Sequence, residues 1–94
     1  MSNEKLLFRV HAVQRMLERR ISVKQVRQAV EAGEMIEDYS SDMPNPSRLI
    51  LSFQGKRPFH MVTSENLEEN TITIITVYNP DPNNWKKDFR TRQS

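Results

Sequence analysis

Residues 71–78 read TITIITVY. Apolar side chains fall at both parities, Ile72 and Ile74 on one and Ile75 and Val77 on the other. A strand with one wet face alternates apolar with polar, so this pattern predicts a central strand covered on both sides, with Ile72, Ile74 and Ile75 buried. A chain that contains such a strand has to build a sheet around it.

The neighbouring segments supply that sheet. In RLILSF (48–53), Leu49, Leu51 and Phe53 share one face. In RPFHMVTS (57–64), Phe59 and Met61 share one face while His60 and Val62 take the other. The intervening QGK fits a hairpin turn. MIEDY (35–39) reads as a further strand, SSDMPNPS (40–47) as a proline-bearing loop, and ENLEEN (65–70) as a polar turn. KLLFR (5–9) is a short apolar run that fits a first strand.

Between that run and the strands the period changes. From His11, the residues Ala12, Val13, Met16 and Leu17 recur at helical spacing. A second stripe, Val23, Val26, Ala29 and Val30, follows Ser22, an N-cap with Gln25 at the capping-box position. Gly33 reads as the C′ stop of this second helix. The short link between the helices makes them a helical hairpin. NPDPNN (79–84) breaks the last strand, and WKKDFRTRQS (85–94) reads as a short helix or a tail. The expected fold is α+β. An N-terminal helical hairpin packs on an antiparallel sheet of about four strands, as one domain over 1–94 with its core at about 6–90.

Composition narrows the function. There is no cysteine, which excludes disulfide scaffolds and thiolate metal sites. No apolar run approaches the roughly 20 residues of a membrane span, and the first residues lack a signal-peptide apolar segment, so a cytoplasmic location is expected. The net charge is only +2 but unevenly spread. Residues 1–30 hold seven Lys and Arg against two Glu, and residues 82–94 hold four against one Asp. Residues 31–54 hold one Arg against five acids. If the two basic segments meet in space, they form a surface for a polyanion.

The candidate chemistry follows from these charges. His11, Arg15 and Arg19 recur every fourth residue and stack along one helical stripe. Guanidinium groups match phosphate oxygens bidentately, and an imidazole moves a proton near neutral pH, so the stripe reads either as a phosphate clamp or as a solvated helix face. His60 shares a strand with Arg57, and a sheet packed on the helical hairpin would bring His11 near it. His11, His60, Arg57 and Tyr78 are then the candidate catalytic residues for metal-independent RNA cleavage, with a base for the 2′-hydroxyl, an acid for the leaving oxygen and cations for the charge on phosphorus. Arg15, Arg19, Lys86, Lys87, Arg90 and Arg92 are the candidate RNA-binding residues, the last four interleaved with Trp85 and Phe89. Plain structural roles compete at His60, Tyr78, Trp85 and Phe89. Dispersed acids and two histidines give no metal-ligand spacing, and no cofactor motif is present, so neither metal nor cofactor is expected.

HAVQRMLERRIS, GEMIEDY, KRPFHMV and IITVYNPDPNNW together resemble a family of small bacterial proteins related to the RelE-like and BrnT-like toxins of toxin–antitoxin systems. The resemblance covers about residues 6–92. It implies a RelE-like α+β fold, an endoribonuclease (mRNA interferase) activity on free or ribosome-associated RNA, and a small antitoxin partner, often of zinc-ribbon type. Arg57, Tyr78 and Arg90 stand closest to the active-site positions of such toxins. The alternative is a non-catalytic partner- or RNA-binding module of the same fold. A DNA-binding regulator is a third reading, weakened by Glu31 and Glu34 at the end of the second helix.

Overall fold

A computed structural model describes residues 4–39 and 46–93. The expected loop at 40–47 lies largely outside the described residues. The chain forms β1 (Lys5–Phe8), α1 (Val10–Arg19), α2 (Val23–Ala32), β2 (Glu34–Tyr39), β3 (Ser47–Gln54), β4 (Arg57–Asn66) and β5 (Thr71–Tyr78).

The sheet corrects the expected one. It has five strands rather than four, in the order β1-β5-β4-β3-β2, and it is mixed. β2, β3, β4 and β5 pair antiparallel in sequence, while β1 lies parallel to β5 with Lys5 opposite Thr71 and Phe8 opposite Ile74. The Lys5 and Arg9 amides donate to the Asn70 and Ile74 carbonyls, which fixes β1 at this edge. Leu6 and Phe8 turn towards the core, so the short run gains burial as well as hydrogen bonds.

β5 is therefore flanked on both sides, as its sequence requires. Ile72, Ile74 and Val77 are buried, but Ile75 is only half-buried. It is the unpaired residue of a bulge, between Ile74 opposite Thr63 and Thr76 opposite Val62.

Both helices pack on one face of the sheet, α1 against β5 and α2 against β3. Ala12, Met16, Val26 and Ala29 meet Ile50, Phe59, Met61, Ile72, Ile74 and Val77 there. Val13, Leu17 and Val23, expected on the buried stripes, are exposed. Ser22 caps α2 as its sequence predicts, accepting from the Gln25 amide while the Gln25 side chain accepts from the Ser22 amide.

The left-handed stop falls on the other helix. Arg20 ends α1 at φ 56°, and the next amide, Ile21, returns to the Met16 carbonyl. Gly33 has an extended backbone at φ −69°; what it supplies is room. A Cβ there would stand 2.5 Å from the Ala29 carbonyl oxygen and 2.6 Å from Ile50 Cγ2.

No C-terminal helix forms. Residues 80–93 make turns closed by one bridge between Trp85 and Arg92, and they cover part of the sheet face opposite the helices. Phe89, in the left-handed region at φ 58°, interrupts a helical path through 85–93. Among the described residues, no helix is long and apolar enough to cross a membrane.

Candidate nucleic-acid interface

Strand parity separates the two histidines. Phe59 and Met61 belong to the core beneath the helices, so His60 between them points to the opposite face. His11 is exposed on α1, in the helical layer. The two imidazoles stand on opposite sides of the sheet, and the expected His11–His60 constellation does not assemble. Arg57 is exposed at the first residue of β4. Of the four catalytic candidates, only His60 and Tyr78 meet. They are paired across β4 and β5, with ring centroids 5.4 Å apart and His60 Nδ1 3.4 Å from the Tyr78 hydroxyl.

His60 has no exposed surface. Its floor is shared with Leu51, its neighbour in register on β3, and with Leu49 two residues along. Its roof is Trp85, 4% exposed, whose ring meets the imidazole edge-on at 4.5 Å. His60 Nε2 lies 2.7 Å from the Phe89 carbonyl oxygen. A carbonyl only accepts, so Nε2 carries the proton and, in the neutral ring, Nδ1 is left to accept from Tyr78. Burial pushes the His60 pKa below its ordinary value, against the opposing pull of the Phe89 hydrogen bond and the nearby Glu37 charge. Burial also raises the Tyr78 hydroxyl.

Glu37, on β2 at the rim of this cluster, accepts from Arg92 through both oxygens, at 2.7 and 3.0 Å, and from the Tyr39 hydroxyl. The Arg92 bond is the largest cause holding the Glu37 carboxyl below its usual range. The Arg92 guanidinium also lies 4.6 Å from the centre of the Trp85 ring. Arg90 donates to Glu34 at 2.8 Å. Two of the four C-terminal cations are thus paired with β2 carboxylates, which corrects the expectation that the C-terminal segment and α1 share one free basic surface. Arg15 is also paired, with Glu18 at 3.1 Å on its own helix. Glu37 and Tyr39 were not legible as site residues, although their alternation in MIEDY places both on the face of His60.

A different set of cations gathers at one end of the sheet. Arg19 donates to Asn79 Oδ1 at 2.6 Å, and Asn79 donates to the Pro58 carbonyl at 3.0 Å. Gln54 donates to the Arg20 carbonyl at 2.5 Å. These bonds fasten the link between the helices, the β3–β4 hairpin and the end of β5 to one another. Around them stand Arg20, Lys24, Lys56 and Arg57, all exposed. None of the four side chains has a carboxylate partner among the described residues. Arg19 is less exposed, and its Nε is buried without a hydrogen-bond partner. At the far end of β4, roughly 30 Å away at about 3.3 Å per residue, Glu65, Glu68 and Glu69 flank the β4–β5 turn. That end is mixed in charge, since Arg48 pairs with Glu65 at 3.5 Å and the exposed Lys5 lies opposite Thr71. Lys86 and Lys87 are exposed on the C-terminal segment.

Neither the curated proteins nor the solved structures include one that matches this chain. One family does match, over residues 8–79, which takes in α1 to β5 and ends at Asn79, before Trp85 and Arg92. By that match the chain belongs to the family described as Domain of unknown function (DUF4258).

Proposed function

We propose that this protein binds single-stranded RNA through the basic pole formed by Arg19, Arg20, Lys24, Lys56 and Arg57, as the toxin-type member of a toxin–antitoxin pair acting in the cytoplasm. The observation that carries the RNA reading is the set of four exposed cations that have no carboxylate partner among the described residues, held on the helical layer and the β3–β4 turn, which side-chain bonds lock together. Paired surface arginines add little net attraction for phosphate, whereas unpaired ones release counterions when they bind it. The toxin-type assignment and the small antitoxin partner, of zinc-ribbon type in related systems, rest on the sequence resemblance.

The test is anisotropy of a labelled single-stranded RNA at about 50 and 200 mM salt. Four phosphate contacts predict a loss of about 50-fold between those salts, from a slope near −0.7 per contact on single strands. Lys56→Glu with Arg57→Glu is expected to weaken binding at least tenfold. Salt-independent binding, or full affinity in that variant, overturns the assignment.

A second reading, metal-independent cleavage, is favoured by the His60–Tyr78 pair alone. It predicts chelator-resistant cleavage that leaves a 2′,3′-cyclic phosphate and is lost in His60→Ala. Cleavage that persists in His60→Ala, or that chelator abolishes, counts against it.

A further inference from the structure

The segment over His60 is joined to the sheet in an unusual way. Its backbone hydrogen bonds are internal: Asn84 and Trp85 amides to Asp81, Phe89 to Lys86, Lys86 to Thr91 and Gln93 to Asn84. Asp88 closes the turn by accepting from the Arg90 and Thr91 amides and from the Thr91 hydroxyl. Among the described residues, no backbone-to-backbone bond ties 80–93 to a strand of the sheet. What reaches across is side-chain chemistry: His60 to the Phe89 carbonyl, Arg90 to Glu34, Arg92 to Glu37, and the packing of Trp85. Of the two ion pairs, Arg90–Glu34 is a single contact between half-exposed side chains and holds weakly, whereas Arg92 grips Glu37 through two bonds. Detaching the segment would break no backbone bond of the ladder.

Beneath it lies a surface suited to a flat aromatic ring. Leu49 and Leu51 give an apolar floor, and His60 and Tyr78 give ring edges. Once Phe89 departs, the His60 Nε2 proton is a free donor. We propose that this face is a binding slot for a nucleobase, and that Trp85 fills it in cis as the stand-in for that base. The proposal rests on the RNA-binding reading and deepens it. Arg57 is three residues along β4 from His60, about 10 Å, but shares the parity of Phe59 and Met61 and so faces the helical side; a strand whose phosphates contact the pole reaches the slot by passing round the end of the sheet. Arg92, freed from Glu37, is then available to a phosphate.

Trp85 is the only tryptophan, so its emission reports the slot directly. The experiment uses the full chain and three proteins. In the first, a single-stranded RNA decamer is titrated into the unaltered protein, and Trp85 emission is expected to shift to the red as the indole is displaced. In the second, Trp85→Ala is expected to bind the decamer about tenfold more tightly and to bind adenosine 3′-monophosphate, which the unaltered protein binds more weakly by the same factor. In the third, Glu34→Gln with Glu37→Gln loosens the segment while keeping its indole, and Trp85 emission is expected to be red-shifted before any RNA is added. This variant carries the test if Trp85→Ala does not fold.

RNA saturation with unshifted Trp85 emission overturns the slot and leaves the basic pole standing. Equal nucleotide affinity with and without the indole overturns it as well. If the unaltered protein binds no RNA, the pole reading fails, and adenosine 3′-monophosphate binding to Trp85→Ala still decides the slot: its presence supports it and its absence overturns it.

Discussion

Trp85 stands edge-on over His60, with ring centroids 4.5 Å apart and ring planes at 90°. This pair gives the sheet its second buried face. The helices cover one side with eleven buried residues of a continuous cluster. Among the described residues, the other side is closed where an aromatic ring from the C-terminal segment meets a polar ring from β4. An imidazole in that place contributes packing and a hydrogen bond, and it brings a proton equilibrium into the interior.

Removing the ring exposes both contributions. His60→Ala is expected to destabilise the protein by about 2–4 kcal/mol, from the cavity and the orphaned Phe89 and Tyr78 partners. Urea unfolding measured by circular dichroism checks it. A loss under about 0.5 kcal/mol, the size of an ordinary surface substitution, would show that the roof closes without its imidazole.

The same ring makes stability depend on pH. Its folded pKa is depressed below 6.5, so the unfolded chain binds the proton more readily. Stability is then fully present above the ordinary value and is lost as pH falls from about 6.5 through the folded pKa. Glu37, whose folded pKa is also depressed, adds a separate loss as pH falls below 4.5. Thermal melts between about pH 8 and 2.5 should show the first step in the unaltered protein and lose it in His60→Gln, with the second step retained.

Gly33 has a negative φ that any residue adopts, yet it tolerates no side chain. Gly33→Ala sets a methyl against the Ala29 carbonyl oxygen and Ile50, one of them backbone, and is expected to cost about 1–3 kcal/mol as overpacking. A melting temperature unchanged from the parent would mean that α2 and β3 shift apart freely.

Arg20 presents the opposite case. It holds a left-handed backbone that a glycine adopts without strain. Arg20→Gly is expected to raise stability by about 1 kcal/mol while weakening RNA binding, because one cation leaves the pole. Denaturation and anisotropy on the same sample check the two effects, and a change of the same sign in both separates neither role.

Much of the architecture was legible because its causes are local. Ser22 and Gln25 sit three apart and cap α2 through their own backbone amides. The β3–β4 hairpin follows from the alternation on either side of Gly55. The parity of His60 relative to Phe59 and Met61 was also readable, and it already implied the face opposite the helices. His11, on a helix of the covered face, therefore lies across the sheet from His60. The rest depends on partners distant in sequence. Nothing local in KLLFR announces a parallel pairing with Thr71–Ile74. The pairing of Arg90 and Arg92 with Glu34 and Glu37 joins residues more than half a chain apart. The left-handed stop at Arg20 carries no glycine to mark it. The C-terminal segment reads as tail or helix because its order comes from Trp85 settling on β4, which its own residues do not encode.

The parallel pairing of Lys5–Phe8 with Thr71–Ile74 has a consequence for synthesis. The first strand leaves the ribosome well before the strand it must join. Both helices and three strands are made while its Leu6 and Phe8 have no sheet to rest on. Loop closure over that span is slow compared with the hairpins, so the β3–β4 and β4–β5 pairs are free to form first and β1 docks last. Until it does, β5 presents a row of unpaired amides and carbonyls along the edge that β1 later covers. The nascent protein is most open to capture, by a chaperone or by another strand, in the interval between completing its last strand and recovering its first.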